Sequence, residues 1–284
     1  MAEEVELKLA LSDSAAAFLL RHELLETPPC REWLSNTYYD TPEGALESAR
    51  AALRVRRTPQ GNLQTLKTVG SGSGGLFVRG EWEWAIEGDD LDLVGLADLP
   101  PIQAMGNAVL KTLEPRFVTD FERCRWLLEL ESASIEVAFD QGSIRADERR
   151  VEINELELEL KRGDPSSLWR LAQKFAEQVP LRPSIISKAE RGAALYQGHW
   201  TCKPPGASLS ARLDHASRLL DLFRDTRERR FLEQAVDLYW GLANDDALSA
   251  ATRHHAQALG GMLTHSDWLT TAFGQHSLSL QQTI

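Results

Sequence analysis

The strands that this sequence can form carry their charge on one face. Residues i and i+2 share a face of a strand, and segment after segment of residues 1–198 sets ions on one face and bulky apolar side chains on the other. Glu4, Glu6 and Lys8 alternate with Val5, Leu7 and Leu9. Arg54 and Arg56 oppose Leu53 and Val55, Thr65 and Lys67 flank Leu66, and Glu81 and Glu83 alternate with Trp82 and Trp84. Arg123 and Arg125 oppose Cys124 and Trp126, and Glu136 and Asp140 oppose Val137 and Phe139. Glu155, Glu157, Glu159 and Lys161 alternate with Leu156, Leu158 and Leu160. An open sheet with one wet face scatters Thr, Ser, Gln and Lys over it. Tight Glu-x-Glu and Arg-x-Arg pairs instead predict a sheet curled inside out, its ions lining a lumen and its apolar faces turned outward under helices.

About eight such strands are expected, at 4–11, 33–40, 52–58, 63–68, 81–87, 117–129, 134–146 and 151–161. That number suffices to enclose one small ligand. Helices are expected over 13–25 with Asp13 as N-cap, over 165–178 with Asp164 as N-cap and Pro165 at the first helical position, and over 188–196. Pro204, Pro205 and Gly206 mark 199–207 as a linker. Beyond it the apolar period becomes helical, enough for three or four helices. The expected class is therefore α+β: an eight-stranded antiparallel β-barrel, or tunnel, with a charged lumen and flanking helices over 1–200, then a small all-α unit over 207–284.

Charge excludes one class of partner. With 31 basic against 42 acidic residues the net charge is -11, whereas general nucleic-acid binding needs a dominant basic surface. Cys30, Cys124 and Cys202 are scattered, with no CxxC pair, so neither a disulfide framework nor a thiolate zinc site is indicated. No apolar run reaches the ~18 residues of a membrane helix, and the acidic start is unlike a signal peptide; the expected location is the cytoplasm. The run Gly70–Gly75 reads as a flexible connection between strands, without the ending or context of a P-loop. Arg224, Arg227, Arg229 and Arg230, interleaved with Asp225 and Glu228, read as a solvated helix laced with ion pairs, or as a polyphosphate-docking patch.

A charged lumen has to be compensated, because unpaired buried charge is strongly unfavourable. Crowded carboxylates repel one another, and hard cations such as Mg²⁺ or Mn²⁺ relieve them through oxygen ligands. Clustered Arg and Lys call for a multivalent anion, and the guanidinium fork matches phosphate oxygens. A metal-bound polyphosphate meets both demands.

The same residues resemble a known family. Glu4-Val5-Glu6-Leu7-Lys8 is similar to the ExExK signature of the CYTH proteins, the triphosphate tunnel metalloenzymes. In the same order follow Asn36-Thr37-Tyr38-Tyr39-Asp40-Thr41, Leu53-Arg54-Val55-Arg56, Leu66-Lys67-Thr68, the Glu81/Glu83 pair, Phe139-Asp140-Gln141-Gly142, Glu155-Leu156-Glu157-Leu158-Glu159 and Ser187-Lys188-Ala189. The arrangement resembles bacterial inorganic triphosphatases, in which a helical CHAD-type domain follows the CYTH domain; here that helical part is short. The resemblance implies hydrolysis of a small-molecule triphosphate with Mg²⁺, or Mn²⁺, as cofactor. It implies that Glu4 and Glu6 hold the metal and that Asp140, Glu155, Glu157 and Glu159 supply a second acidic cluster, at a second metal or the attacking water. Lys8, Arg54, Arg56, Lys67, Arg123 and Lys188 would contact phosphate, with Arg125 and Arg116 as further candidates. Glu83, rather than Glu81, matches the family's acidic residue on that strand. Catalysis would rest on Glu6, Lys8, Arg56, Asp140 and Glu157, with Glu136 and Lys161 at the tunnel rim. Thiamine triphosphatases and adenylyl cyclases share the fold and remain alternatives, as does a non-catalytic polyphosphate-binding module.

Overall fold

A computed structural model describes residues 2–58, 60–68 and 71–283. Its strands are β1 (Ala2–Leu11), β2 (Cys30–Asp40), β3 (Ala51–Thr58), β4 (Gly61–Thr68), β5 (Ser71–Ser73), β6 (Leu76–Ile86), β7 (Glu114–Leu130), β8 (Ala133–Ala146), β9 (Arg149–Arg162) and β10 (Leu181–Pro183). Antiparallel pairing runs β1-β9-β8-β7-β2-β3-β4-β6. The last strand returns to the first, with Glu6 opposite Phe77 and Leu7 opposite Leu76. Eight antiparallel strands thus close into a barrel, and the short β10 and β5 extend it beside β1 and β6.

Helices cover the apolar outside. They are α1 (Ala15–Leu19), α2 (Ala45–Ser48), α3 (Leu93–Ala97), α4 (Pro100–Met105), α5 (Ser166–Ala176), α6 (Lys188–Gln197), α7 (Leu209–Thr226), α8 (Arg229–Ala243), α9 (Ala250–Met262) and α10 (Thr271–Gln281). Leu7, Leu9, Val137, Phe139, Leu156 and Leu158 of the barrel wall are buried against Leu19 of α1 and Leu168, Leu171 and Phe175 of α5. Each such side chain contributes roughly 1.5–3 kcal/mol of apolar burial. On the opposite wall Leu53 and Leu66 lie under Leu46, Leu96 and Ile102 of α2, α3 and α4. The final four helices build their own core around Leu213, Leu220, Phe231, Tyr239, Leu259 and Phe273. Among the described residues no helix is long and apolar enough to cross a membrane.

Helix α6 packs on β7, β8 and β9 and on the aromatic cluster of Tyr38, Phe117 and Phe121. The approach is close enough that a Cβ on Gly192 would stand 2.1 Å from the Phe117 ring. Glycine in mid-helix weakens a helix; here it admits the ring that seats α6.

Two local expectations fail for physical reasons, and three short helices are not foreseen. The helix expected over 13–25 is broken into α1 and a 3₁₀ turn at Glu23–Leu25, and Ser14, not Asp13, stands at the N-cap. Leu19 and Leu25 both enter the core, and one straight helix would set them about 120° apart. The turn is capped by His22, whose Nδ1 accepts the Leu24 N–H at 3.2 Å. Helices α2, α3 and α4 have no more than six residues each, too short to display a period. The glycine-rich run is not a plain flexible connection: Ser71–Ser73 pairs with β6, and the Gly74 N–H donates to Asp214 of α7 at 2.6 Å. Val69 and Gly70 lie outside the described residues.

Candidate active site

Strand closure brings most of the same-face ions into one lumen. Registration sets Lys8 opposite Glu157 and Glu6 opposite Glu159, Arg123 opposite Asp140 and Arg54 opposite Thr65. Burial is graded along it. Glu6, Lys8, Asp140, Glu155 and Lys188 are buried, whereas the side chains of Arg125 and Lys161 are 37% and 38% exposed. The buried end is the one that α6 covers.

At that end cations and carboxylates interlock. Arg123 grips Asp140 with two hydrogen bonds of 2.7 Å and reaches Glu157 at 2.6 Å. The Lys188 ammonium, at the first position of α6, lies 2.8 Å from Asp140, 2.9 Å from Glu155 and 3.0 Å from Glu157. Two of its three N–H donors are hydrogen-bonded, to Glu155 and Glu157, and Asp140 is held as an ion pair. Burial alone would lower the Lys188 pKa, but the three carboxylates outweigh it and hold the group well above the ordinary lysine value. Burial likewise pushes Glu157 up, while Lys188, Arg123 and Lys8 hold it well below the carboxylate range.

Midway along the lumen the cations crowd one another. Arg56 Nε donates to Asn36 Oδ1 at 3.0 Å, and Asn36 donates to Thr119 Oγ1 at 3.0 Å. Burial, with the Arg54 and Arg123 guanidiniums beside it, pushes Arg56 down to about 10. Arg54 lies 4.0 Å from Glu83, which accepts the Thr65 hydroxyl at 2.8 Å. Tyr38 is stacked on Phe117. Burial raises its phenol, but Arg54, Arg56 and Lys188 outweigh that and leave it below the ordinary value.

At the more open end Lys67 bridges Glu4 at 2.7 Å and Glu81 at 3.3 Å. Both glutamates of β6 therefore pair with lumen cations, Glu81 with Lys67 and Glu83 with Arg54. Lys161 pairs with Glu159 at 2.7 Å, and Arg125 pairs with Glu32 at 2.9 Å and Glu136 at 3.6 Å. Burial raises the Glu159 carboxyl, and Glu4 and Glu136 add to the rise against the pull of Lys161. Arg116 is not part of the set: its partners are Thr41, Tyr196 and Glu114.

The donor set can be tested against a metal. Among the described residues no three His, Cys, Asp or Glu side chains form a group that could hold an ion alone. Mg²⁺ does not need one, since it commonly takes one or two carboxylates and completes its shell with water and substrate phosphates. Glu4 and Glu6 supply hard carboxylate oxygens from one strand face, and Glu159, opposite Glu6, is raised by burial first and by Glu4 and Glu136 after it. These fit a hard divalent cation. Asp140 and Glu155 are each held by two cations at under 3 Å, against one each, among the described residues, for Glu4 and Glu159, and are poorer donors as they stand.

Several residues of the site have no role assigned from sequence, although Asn36 and Tyr38 lie in the 36–41 motif quoted above. Asn36, Tyr38 and Thr119 are neutral, and only strand register shows that they face Arg54 and Arg56. Arg191, Asp221 and Asp225 come from helices, and no strand parity marks them.

Comparison with known proteins agrees in kind. A CYTH domain model matches residues 2–193. The inorganic triphosphatase of Haemophilus influenzae is 37% identical over 242 residues, which are 84% of this chain and 63% of that protein. The chain thus spans less than two-thirds of that relative. Among solved structures, HpAC1 of Hippeastrum, described as having a dominant triphosphatase activity, aligns with a TM-score of 0.48 at 20% identity, over 70% of this chain and 97% of that one. The PH1819 protein of Pyrococcus horikoshii aligns with a TM-score of 0.41 at 18% identity, over 66% and 96%.

Proposed function

The chain belongs to the CYTH family, and from that premise we propose that it hydrolyses inorganic triphosphate to diphosphate and phosphate inside the barrel, with a divalent metal. The observation that carries this reading is the gathering of Arg54, Arg56 and Arg123 in one confined lumen, where burial first and the two neighbouring guanidiniums second push Arg56 down to about 10. Like charges held together in a low dielectric favour a multivalent anion between them. The 37% identity to an inorganic triphosphatase supports the same substrate class.

In this reading Lys8, Arg54, Arg56, Lys67, Arg123 and Lys188 hold the phosphate oxygens, with Arg125 at the open end and Glu83 steadying Arg54 through Thr65. Glu4 and Glu6, with Glu159 opposite, would hold Mg²⁺ or Mn²⁺. A metal bound there withdraws charge from the phosphate chain. Phosphoryl transfer needs positioning and charge neutralisation more than covalent help. Water attacks the terminal phosphorus in line, its oxygen forming the new P–O bond as the bond to the bridging oxygen breaks. Diphosphate leaves with that oxygen, and the water proton passes to the medium. Glu157 and Asp140 face this step. Glu157 accepts from Arg123 and Lys188 before substrate enters, and its part is to orient or deprotonate the water once the phosphate takes those cations. Residues 1–200 form the tunnel unit in this proposal, and 207–284 a helical accessory of partial CHAD type.

Phosphate release from tripolyphosphate, ATP and thiamine triphosphate, with Mg²⁺ and with EDTA, tests the proposal. Tripolyphosphate should be turned over fastest, and only with metal. Faster release from thiamine triphosphate, or cyclisation of ATP, would reassign the substrate. Tight tripolyphosphate binding without release would make the chain a binding module.

A further inference from the structure

Helix α7 lies beyond the 2–193 match, yet it reaches the buried end of the lumen. Asp221 and Asp225 stand four residues apart and so share one face of α7. Asp221, fully buried, accepts the Ile185 and Ile186 N–H groups at 2.9 and 3.1 Å and the Ser184 hydroxyl at 3.0 Å, and it pairs with Arg182 at 2.8 Å. It therefore fixes the backbone that leads into α6 and Lys188. Asp225 takes the fully buried Arg191 of α6 in a fork, with Nε and Nη2 each 2.7 Å away. The Nη1 of Arg191 donates to Glu155 at 2.6 Å, and the other oxygen of Glu155 accepts from Lys188 at 2.9 Å. An unbroken chain of charge-assisted hydrogen bonds runs Asp225–Arg191–Glu155–Lys188.

Resting on the triphosphatase reading above, we propose that Asp225, with Asp221, is a positioning residue that sets the Lys188 ammonium for the transferred phosphate, so that α7 completes the active site. Lys188 is held by three carboxylates: Arg123 of the barrel anchors Asp140 and Glu157, whereas Glu155 is anchored from the helices, by Arg191 at 2.6 Å with Arg224 at 3.9 Å. Asp225 neutralises Arg191, which leaves Glu155 charge to share with Lys188. Without that carboxylate, Arg191 draws Glu155 toward itself and Lys188 swings toward Asp140 and Glu157. The Arg fork has a fixed geometry, so the link sets direction as well as charge.

The test is a double-mutant cycle in the full chain, with kcat and KM for tripolyphosphate and Mg²⁺. Asp225→Asn should lower kcat at least tenfold with KM changed less than threefold. In a Lys188→Ala background the same change should cost less than twofold, because the residue it acts through is gone. Equal losses in both backgrounds would overturn the proposal, as would a normal kcat in Asp225→Asn. Arg191→Lys, which keeps the charge and removes the fork, should reproduce the pattern and serves if Asp225→Asn does not fold. If neither variant folds, the network is structural and the positioning role is lost. Active wild type with an additive cycle overturns this inference alone. A wild-type chain that releases no phosphate from tripolyphosphate ends the functional reading, and the inference falls with it.

Discussion

Glu155 is the most exacting test of how the lumen is held, and replacing it by Gln should destabilise the protein by about 3 kcal/mol at pH 7. The carboxylate is fully buried. Burial would raise its pKa, but Lys188, Arg191, Arg224 and Lys8 bring it from 4.5 down to about 2. That difference of roughly 2.5 pH units corresponds to about 3 kcal/mol at ~1.4 kcal/mol per unit. It sits at the low end of the ~3–5 kcal/mol lost when a buried pair is broken. The low end is expected, since Lys188 keeps Asp140 and Glu157 and Arg191 keeps Asp225. The folded pKa lies below the unfolded one, so the contribution is complete above pH ~4.5 and is lost as pH falls toward 2. Urea unfolding of wild type and Glu155→Gln across pH 7 to 3 measures it. The gap should shrink to roughly half or less by pH 3. At neutral pH the melting temperature should drop by roughly 6–12 °C. A gap under ~1 kcal/mol at pH 7, or one that does not change with pH, would refute the reasoning.

Glu6→Gln should abolish Mg²⁺-dependent phosphate release and leave the melting temperature within a few degrees; a variant with near wild-type turnover removes Glu6 from the site. Arg56→Ala should raise KM and lower kcat together, because a guanidinium that binds the phosphate chain serves ground and transition states alike; unchanged steady-state kinetics would exclude it. Gly192→Ala pushes a methyl to 2.1 Å from the Phe117 ring, and overpacking of this kind costs about 1–3 kcal/mol. Thermal unfolding should show that loss, together with a fall in kcat as α6 shifts Lys188; a silent variant would mean that α6 is not seated by this contact. Tripolyphosphate and Mg²⁺ together should raise the melting temperature by more than the sum of their separate effects, and a merely additive thermal shift would argue against a shared site.

The barrel was legible because it is written in parity. Charged residues two apart in β1, β3, β7 and β9 (Glu4/Glu6/Lys8, Arg54/Arg56, Arg123/Arg125 and Glu155/Glu157/Glu159) cannot be buried outward against helices, so the curl of the sheet follows from the alternation itself. Register is a different matter. That Lys8 faces Glu157 and not Glu159 depends on pairing between strands nearly 150 positions apart, and no local pattern states it. The neutral lumen residues Asn36, Tyr38 and Thr119 were hidden for the same reason. Asp225 misled more directly. Among Arg224, Arg227 and Glu228 it reads as part of a wet helix end, and Arg229 and Arg230 on the next helix are indeed solvated, at 84% and 59% exposure. Its own carboxylate is 1% exposed because Arg191, 34 residues earlier, reaches it across the packed helices.

The energetics of the two faces explain why such a lumen can exist. Buried ion pairs are weak contributors to stability, since desolvation offsets most of the Coulombic gain. The fold is held from outside instead, by the leucines and valines packed under α1, α5 and α2 to α4, which leaves the inner pairs free to be exchanged. Three of the lumen cations now carry carboxylates: Arg123 holds Asp140 and Glu157, Lys67 holds Glu4 and Glu81, and Lys188 holds three. A phosphate chain entering between them can take over those hydrogen bonds without stranding a cation. It does, however, release carboxylates that are then buried and unpaired. Glu4 is one of them, and it stands on the same strand face as Glu6. In the proposed reading, a divalent cation arriving with the phosphate would remove that penalty at the point where it is created, so charge balance favours the joint entry of anion and metal over entry of the anion alone.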